Sequence, residues 1–142
     1  APIILMHRRG TSATMQDNTH YDDLLGDIER FLQERIASAR EAGVAPERIA
    51  IDPGLGFGKS IGGNLQIVRH LGRFIGLGYP VLLGASRKSF IWKTLEGTPA
   101  DGLEGSLAVA VLGAQAGVHM LRVHDVRQTV NVVRMTQAIA KS

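Results

Sequence analysis

The sequence predicts an α/β fold with parallel strands, laid out as four successive βα units that amount to half of a (β/α)8 barrel. Short apolar runs alternate with longer segments of helical period, the pattern of βα units on a parallel sheet. None of these runs alternates polar and apolar residues cleanly, as expected of strands covered on both faces. Length is the third observation. Eight units need about 250 residues, and the chain has 142. Four parallel strands cannot close a barrel, and the sequence starts directly in a strand, so preceding units are expected to be absent. An open four-stranded α/β sheet is the alternative.

The strands are expected at Ile3 to Met6, Arg48 to Ile51, Val81 to Leu83 and His119 to Val123. A helix from about Tyr21 to Ala42 follows the first, with Leu25, Ile28, Leu32, Ile36 and Ala39 on one face at spacings of three and four, and Gly43 as its stop. The second connection holds a glycine-rich turn and a helix near Leu65 to Ile75. A short helix around Phe90 and a longer one from Leu103 to Ala116 fill the third, and the last helix runs from Val126 to Ala140. No linker or low-complexity stretch divides the chain, so residues 1–142 read as one domain or part of one.

Composition narrows the function classes. The chain is 44% hydrophobic and 20% charged, as in a soluble globular domain. A formal charge of +3, with Asp27, Arg30 and Glu34 interleaved on one helix face, does not imply nucleic acid. The clusters His7-Arg8-Arg9 and Arg87-Lys88 are too short for a duplex-binding stripe and suit a compact anion. Without cysteine there is no disulfide framework, thiolate nucleophile or cysteine-based zinc cluster, and a reducing compartment fits. No apolar run approaches the roughly 20 residues of a membrane span, so a cytoplasmic protein is expected.

In parallel α/β folds, ligand-binding groups gather at the carboxyl ends of strands. The first strand leads into Met6-His7-Arg8-Arg9-Gly10, whose charges either line a site or are merely solvated, the latter being the preferred reading. The second leads into Asp52-Pro53-Gly54-Leu55-Gly56-Phe57-Gly58-Lys59. This is not a Walker A loop, because Pro53 stands where its first glycine belongs, nor a dinucleotide fingerprint, because Lys59 stands where a glycine is needed. Its glycines suit a tight turn beneath a flat ligand, with a merely flexible turn as the alternative. Asp52, directly after an apolar strand, needs donors or cations to offset its desolvation; a heterocycle with an amino group and ring N–H fits, and so does a simple turn aspartate before Pro53.

The third strand leads into Gly84-Ala85-Ser86-Arg87-Lys88-Ser89, which sets hydroxyls, cations and N–H groups at a helix start where a carboxylate or phosphate is favoured; a capping serine with solvated charges is the plain reading. After the fourth come Arg122-Val123-His124-Asp125, with Arg122 and His124 on the same side by strand parity. The histidines are dispersed, so no protein-built zinc site is expected, and no serine, histidine and acid set supports a covalent nucleophile.

In order and spacing, the segments Asp52 to Lys59, Gly84 to Phe90 and Arg122 to Val126 resemble the dihydropteroate synthase family, and Met6-His7, Gly10, Thr14, Met15 and Gln16 also match. The chain departs from the family pattern at Arg8, Ser12 and Leu55, where methionine, proline and phenylalanine are common. The resemblance covers the whole chain and implies the C-terminal half of a pterin-binding TIM barrel. It further implies condensation of 6-hydroxymethyl-7,8-dihydropterin diphosphate with p-aminobenzoate. Asp52 would then bond the amino-pyrimidine edge of the pterin and Lys88 its carbonyl and ring nitrogen, while Met6, Phe57 and Arg122 line or stack on the ring. Arg122 and His124 would hold the diphosphate. Ser89 would receive the p-aminobenzoate carboxylate, with Gly84, Ser86 and Arg87 shaping the pocket. Lys88, Arg122 and His124 are the residues expected to act on the reacting groups. Mg²⁺ is implied as cofactor, with its protein ligand in the absent N-terminal half, and a homodimer is implied through the outer helices. The competing readings are a pterin-binding methyltransferase domain and a catalytically incomplete binding fragment.

Overall fold

The computed structural model describes residues 1–9 and 19–142, and Gly10, Ser12, Thr14, Met15 and Gln16 lie outside the described residues. The chain is an α/β protein with parallel strands. Strand β1 (Ile3–Met6) is followed by helix α1 (Leu24–Glu41), β2 (Ile49–Asp52) by α2 (Ile61–Arg69) and α3 (Leu71–Ile75), β3 (Leu82–Leu83) by α4 (Ser89–Thr94) and α5 (Gly102–Ala116), and β4 (Met120–Leu121) by α6 (Val126–Lys141). β1 pairs with β2 in parallel, with Met6 opposite Asp52, and β3 pairs with β4, with Leu83 opposite Leu121. A single parallel bridge between Ile51 and Val81 joins the two pairs, supported by Ile51 N–H donating to Pro80 O at 2.8 Å. All four carboxyl ends therefore leave the strands on the same side.

Several boundaries differ from the sequence reading for local reasons. β2 begins at Ile49 because Pro46–Arg48 form a single 3-10 turn first. The expected helix from Leu65 to Ile75 is two helices, starting four residues earlier at Ile61 and broken at His70 (φ −116°, ψ 33°). Its start is fixed by Ser60, whose hydroxyl accepts from Gly63 N–H at 3.0 Å. α1 starts at Leu24, three residues later than expected, because Asp23 is its N-cap and accepts from Gly26 N–H at 3.1 Å. At its other end Gly43 (φ 93°) is the left-handed residue, with Gly43 N–H on Arg40 O and Val44 N–H on Ala39 O closing the last turn.

The apolar face of α1 buries Leu24, Ile28, Leu32 and Ile36 against Ile49 and Ile51 of β2, Ile67, Leu71 and Phe74 of the next helices, and Val81 and Leu83. This packing holds the strand ends in register. Asp27 and Arg30 pair on the outer face of α1 as their spacing predicts.

Candidate pterin and anion site

The site is built at the carboxyl edge of the strands, beginning with the turn after β2. Asp52 is 3% exposed, and its Oδ1 accepts from Gly54 N–H at 2.7 Å. Burial raises its pKa; the Gly54 N–H and the positive charges of Lys88, Arg122 and Lys59 act in the opposite direction. Three glycines of the turn, Gly54, Gly56 and Gly58, have φ between 71° and 81°. At Gly54 the reason is close approach, since a Cβ would sit 1.9 Å from His7 O. Asn64 secures the turn from α2, its Oδ1 accepting from Gly56 N–H at 2.8 Å and its Nδ2 donating to Ser60 O at 2.9 Å.

Lys88 reaches back over this turn from the loop after β3. Its Nζ lies 4.6 Å from the centre of the half-buried Phe57 ring and donates to Leu55 O. Burial pushes its pKa down to about 8, against the opposing pull of Asp52. A carboxylate, an aromatic face and a cation thus lie together at one strand end.

A second cluster sits beside it, around a cavity of about 270 Å³ lined by Gly84, Ser86, Lys88, Arg122, Val123 and His124. Gly84 has no side chain to spare here, because a Cβ would lie 2.8 Å from Arg122 Nη2. The Ser86 hydroxyl is 2.9 Å from His124 Nδ1 and accepts from His124 N–H at 3.1 Å, so it orients the ring instead of capping α4. Arg87 adopts φ 58° and turns outward, donating through Nε and Nη2 to the two oxygens of Asp125 at 3.0 and 2.6 Å, while its N–H donates to Ser106 Oγ at 2.8 Å. That pair ties the third loop to the fourth. Ser89 is exposed as the first residue of α4, and Met6 is half-buried at the end of β1 opposite Asp52.

His7 departs from the solvated reading of the first loop. It is 4% exposed, its N–H donates to Asp52 O at 3.0 Å, and its ring meets the Phe31 ring edge-on with centroids 4.9 Å apart. Arg9 does not simply project into solvent either: its guanidinium lies 4.2 Å from the centre of the Tyr21 ring. Burial, reinforced by Lys59 and Arg9, pushes the His7 pKa down to about 3. The folded protein therefore keeps His7 neutral while the unfolded chain binds a proton below about pH 6.5. Stability is expected to fall as pH drops from 6.5 toward 3, by roughly 1 kcal/mol per pH unit from this group. Urea denaturation at pH 7 and pH 5 checks this, and His7→Gln should flatten the difference.

Lys59 and Asn64 were not among the residues expected to build the site. Asn64 carried a readable signal, a polar residue three and four positions before the buried Ile67 and Val68 on the inward face of a helix. For Lys59 the signal is the glycine run itself, whose turned carbonyls have no strand partners and require a donor.

The whole arrangement has relatives. Residues 1–124 match the family described as pterin-binding enzymes. The chain belongs to the pterin-binding enzyme family. Within that family it is 42% identical over 137 residues to the dihydropteroate synthase of Escherichia coli strain K12, covering 96% of this chain and 49% of that protein. A Yersinia pestis dihydropteroate synthase in complex with a sulfonamide drug superposes with a TM-score of 0.95 at 39% identity, covering 99% of this chain and 51% of that one. The Xanthomonas albilineans synthase in complex with 7,8-dihydropteroate gives 0.91 at 42% identity, over 99% and 52%. The chain spans about half the length of the curated relatives it matches.

Proposed function

We propose that these residues are the C-terminal half of a dihydropteroate synthase, with residues 1–142 forming four of the eight βα units of a pterin-binding TIM barrel. The observation that carries the reading is the meeting of Asp52, Phe57 and Lys88 at one strand end, directly beside Arg122 and His124. A pterin needs an acceptor for its amino-pyrimidine edge, a donor for its carbonyl and ring nitrogen, and an apolar face. Asp52 meets the first need, Lys88 the second, and Met6, Phe57 and the plane of Arg122 the third. Arg122 and His124 hold the diphosphate. Ser89 receives the p-aminobenzoate carboxylate, while Ser86, Arg87 and Gly84 shape the pocket through His124, Asp125 and Arg122 respectively.

The reaction on this reading breaks the bond between the pterin methylene carbon and the diphosphate oxygen, and the bonding pair leaves with the diphosphate. The ring stabilises the resulting cation, the arylamine nitrogen donates its lone pair to the methylene carbon, and a proton is lost from that nitrogen. Cations at Lys88 and Arg122, with the imidazole of His124 beside them, favour the departing anion, and fixing two reactants in contact removes much of the entropic barrier. No general base of unusual strength is demanded, because an arylamine is neutral near pH 7.

Mg²⁺ belongs to the proposal as a companion of the diphosphate, with its protein ligand outside these residues. Among the described residues no three His, Asp or Glu side chains come together as a metal site. A homodimer through the outer helices is also part of the reading, supported by an apolar groove of about 680 Å³ between α2, α3, α4 and α5 where Leu65, Leu95 and Leu112 are exposed. Among the described residues no helix is long and apolar enough to cross a membrane.

Conversion of labelled p-aminobenzoate to dihydropteroate, by a complete synthase containing these residues with the pterin diphosphate and Mg²⁺, tests the assignment. Product is expected there and not from residues 1–142 alone. Methyl transfer from a methylated pterin, with no dihydropteroate, would instead identify a methyltransferase.

A further inference from the structure

Lys59 has no part in the roles assigned above, yet it is one of the most buried charged residues of the chain, at 4% exposure. Its Nζ donates to Gly54 O at 2.7 Å and to Phe57 O at 2.9 Å. Gly54 O also accepts from Phe57 N–H at 3.1 Å, so the turn from Gly54 to Phe57 closes around Lys59 Nζ. On the other side of the same residue, Gly54 N–H donates to Asp52 Oδ1 at 2.7 Å. One buried amino group, its pKa pushed down to about 7 by burial, thus sits behind both the acceptor and the aromatic face of the proposed pterin site. Asp52, Lys88 and His7 are the charged or titratable groups that act on it or are acted on by it.

We propose that Lys59 is a positioning residue for the pterin: its Nζ clamps the carbonyls of Gly54 and Phe57 and so sets the spacing between the Asp52 carboxylate and the Phe57 ring. The inference rests on the pterin reading of this site. Methionine, one atom shorter, fills most of the same space and donates nothing, leaving two turned carbonyls to relax. Collapse is not the expected result, because Asn64 holds Gly56 independently and Ser60 starts α2 immediately after Lys59.

The test uses Lys59→Met and Lys59→Gln in a complete synthase containing these residues, with calorimetric titration of the pterin diphosphate, KM for both substrates and thermal unfolding. Lys59→Met is expected to raise pterin Kd and KM about tenfold while KM for p-aminobenzoate stays within about twofold. Lys59→Gln, which keeps a donor, should recover part of the loss. A lowered unfolding temperature with unchanged pterin affinity overturns the inference, since a purely structural lysine predicts that pattern, and so does failure of both variants to fold. A wild type that binds no pterin overturns the functional reading and this inference together. A wild type that binds, with Lys59→Met binding equally well, overturns this inference alone.

Discussion

Asp52→Asn is expected to weaken pterin binding about a hundredfold, the equivalent of roughly 3 kcal/mol for charge-assisted hydrogen bonds to a donor-rich edge. Asparagine keeps the volume and can still accept from Gly54 N–H, so the turn after β2 should survive. What it loses is the second acceptor oxygen and the charge, and its amide then faces the donors of the pterin. Stability should move the other way. Burial raises the Asp52 pKa, which means that ionising it costs the folded protein free energy, and the neutral amide avoids that cost. The unfolding temperature is therefore expected to hold or rise while affinity falls. In the wild type, pterin binding should decline on the acid side at a pH above the usual carboxylate range, and this limb should vanish in Asp52→Asn. Calorimetry across pH with both proteins checks the two signs.

Gly54→Ala is the second large effect. The added Cβ would lie 1.9 Å from His7 O, and that carbonyl cannot retreat easily because the N–H of the same residue is bonded to Asp52 O at 3.0 Å. Alanine must also hold φ at 76°. Clash and strained backbone together are expected to cost about 3 kcal/mol and to disorganise the turn that carries Phe57. Thermal unfolding and pterin titration should both fail together. Gly62→Ala is the control: Gly62 lies within α2, nothing stands within 4 Å of its added Cβ, and the change should stabilise by about 0.5 to 1 kcal/mol.

The parallel α/β plan was legible because apolar runs and helical periods were separate in the sequence, and Ile28, Leu32 and Ile36 fall on the buried face of α1 as their spacing requires. Strand ends such as Asp52, Lys88, Arg122 and His124 were legible because position after an apolar run locates them regardless of detail. The break at His70 was not, since it depends on one residue's backbone and not on periodicity. Nor was the burial of His7: whether a charged run at a strand end is solvated depends on what covers it, and Phe31 and Tyr21 reach it from a distant part of the chain. Lys59 was legible only in part. Its partners are carbonyls turned by glycines, and the glycine run marks the turn but not the direction in which those carbonyls point.

On the proposed reading, one edge of this chain joins a pterin subsite to an anion subsite. Equilibrium titration of a complete synthase containing these residues, with 6-hydroxymethylpterin and with its diphosphate, tests it most directly when repeated with Arg122→Ala. Both ligands are expected to bind, the diphosphate more tightly, and Arg122→Ala to remove most of that difference. Equal affinity for the two ligands in the wild type, or a difference untouched by Arg122→Ala, would contradict it.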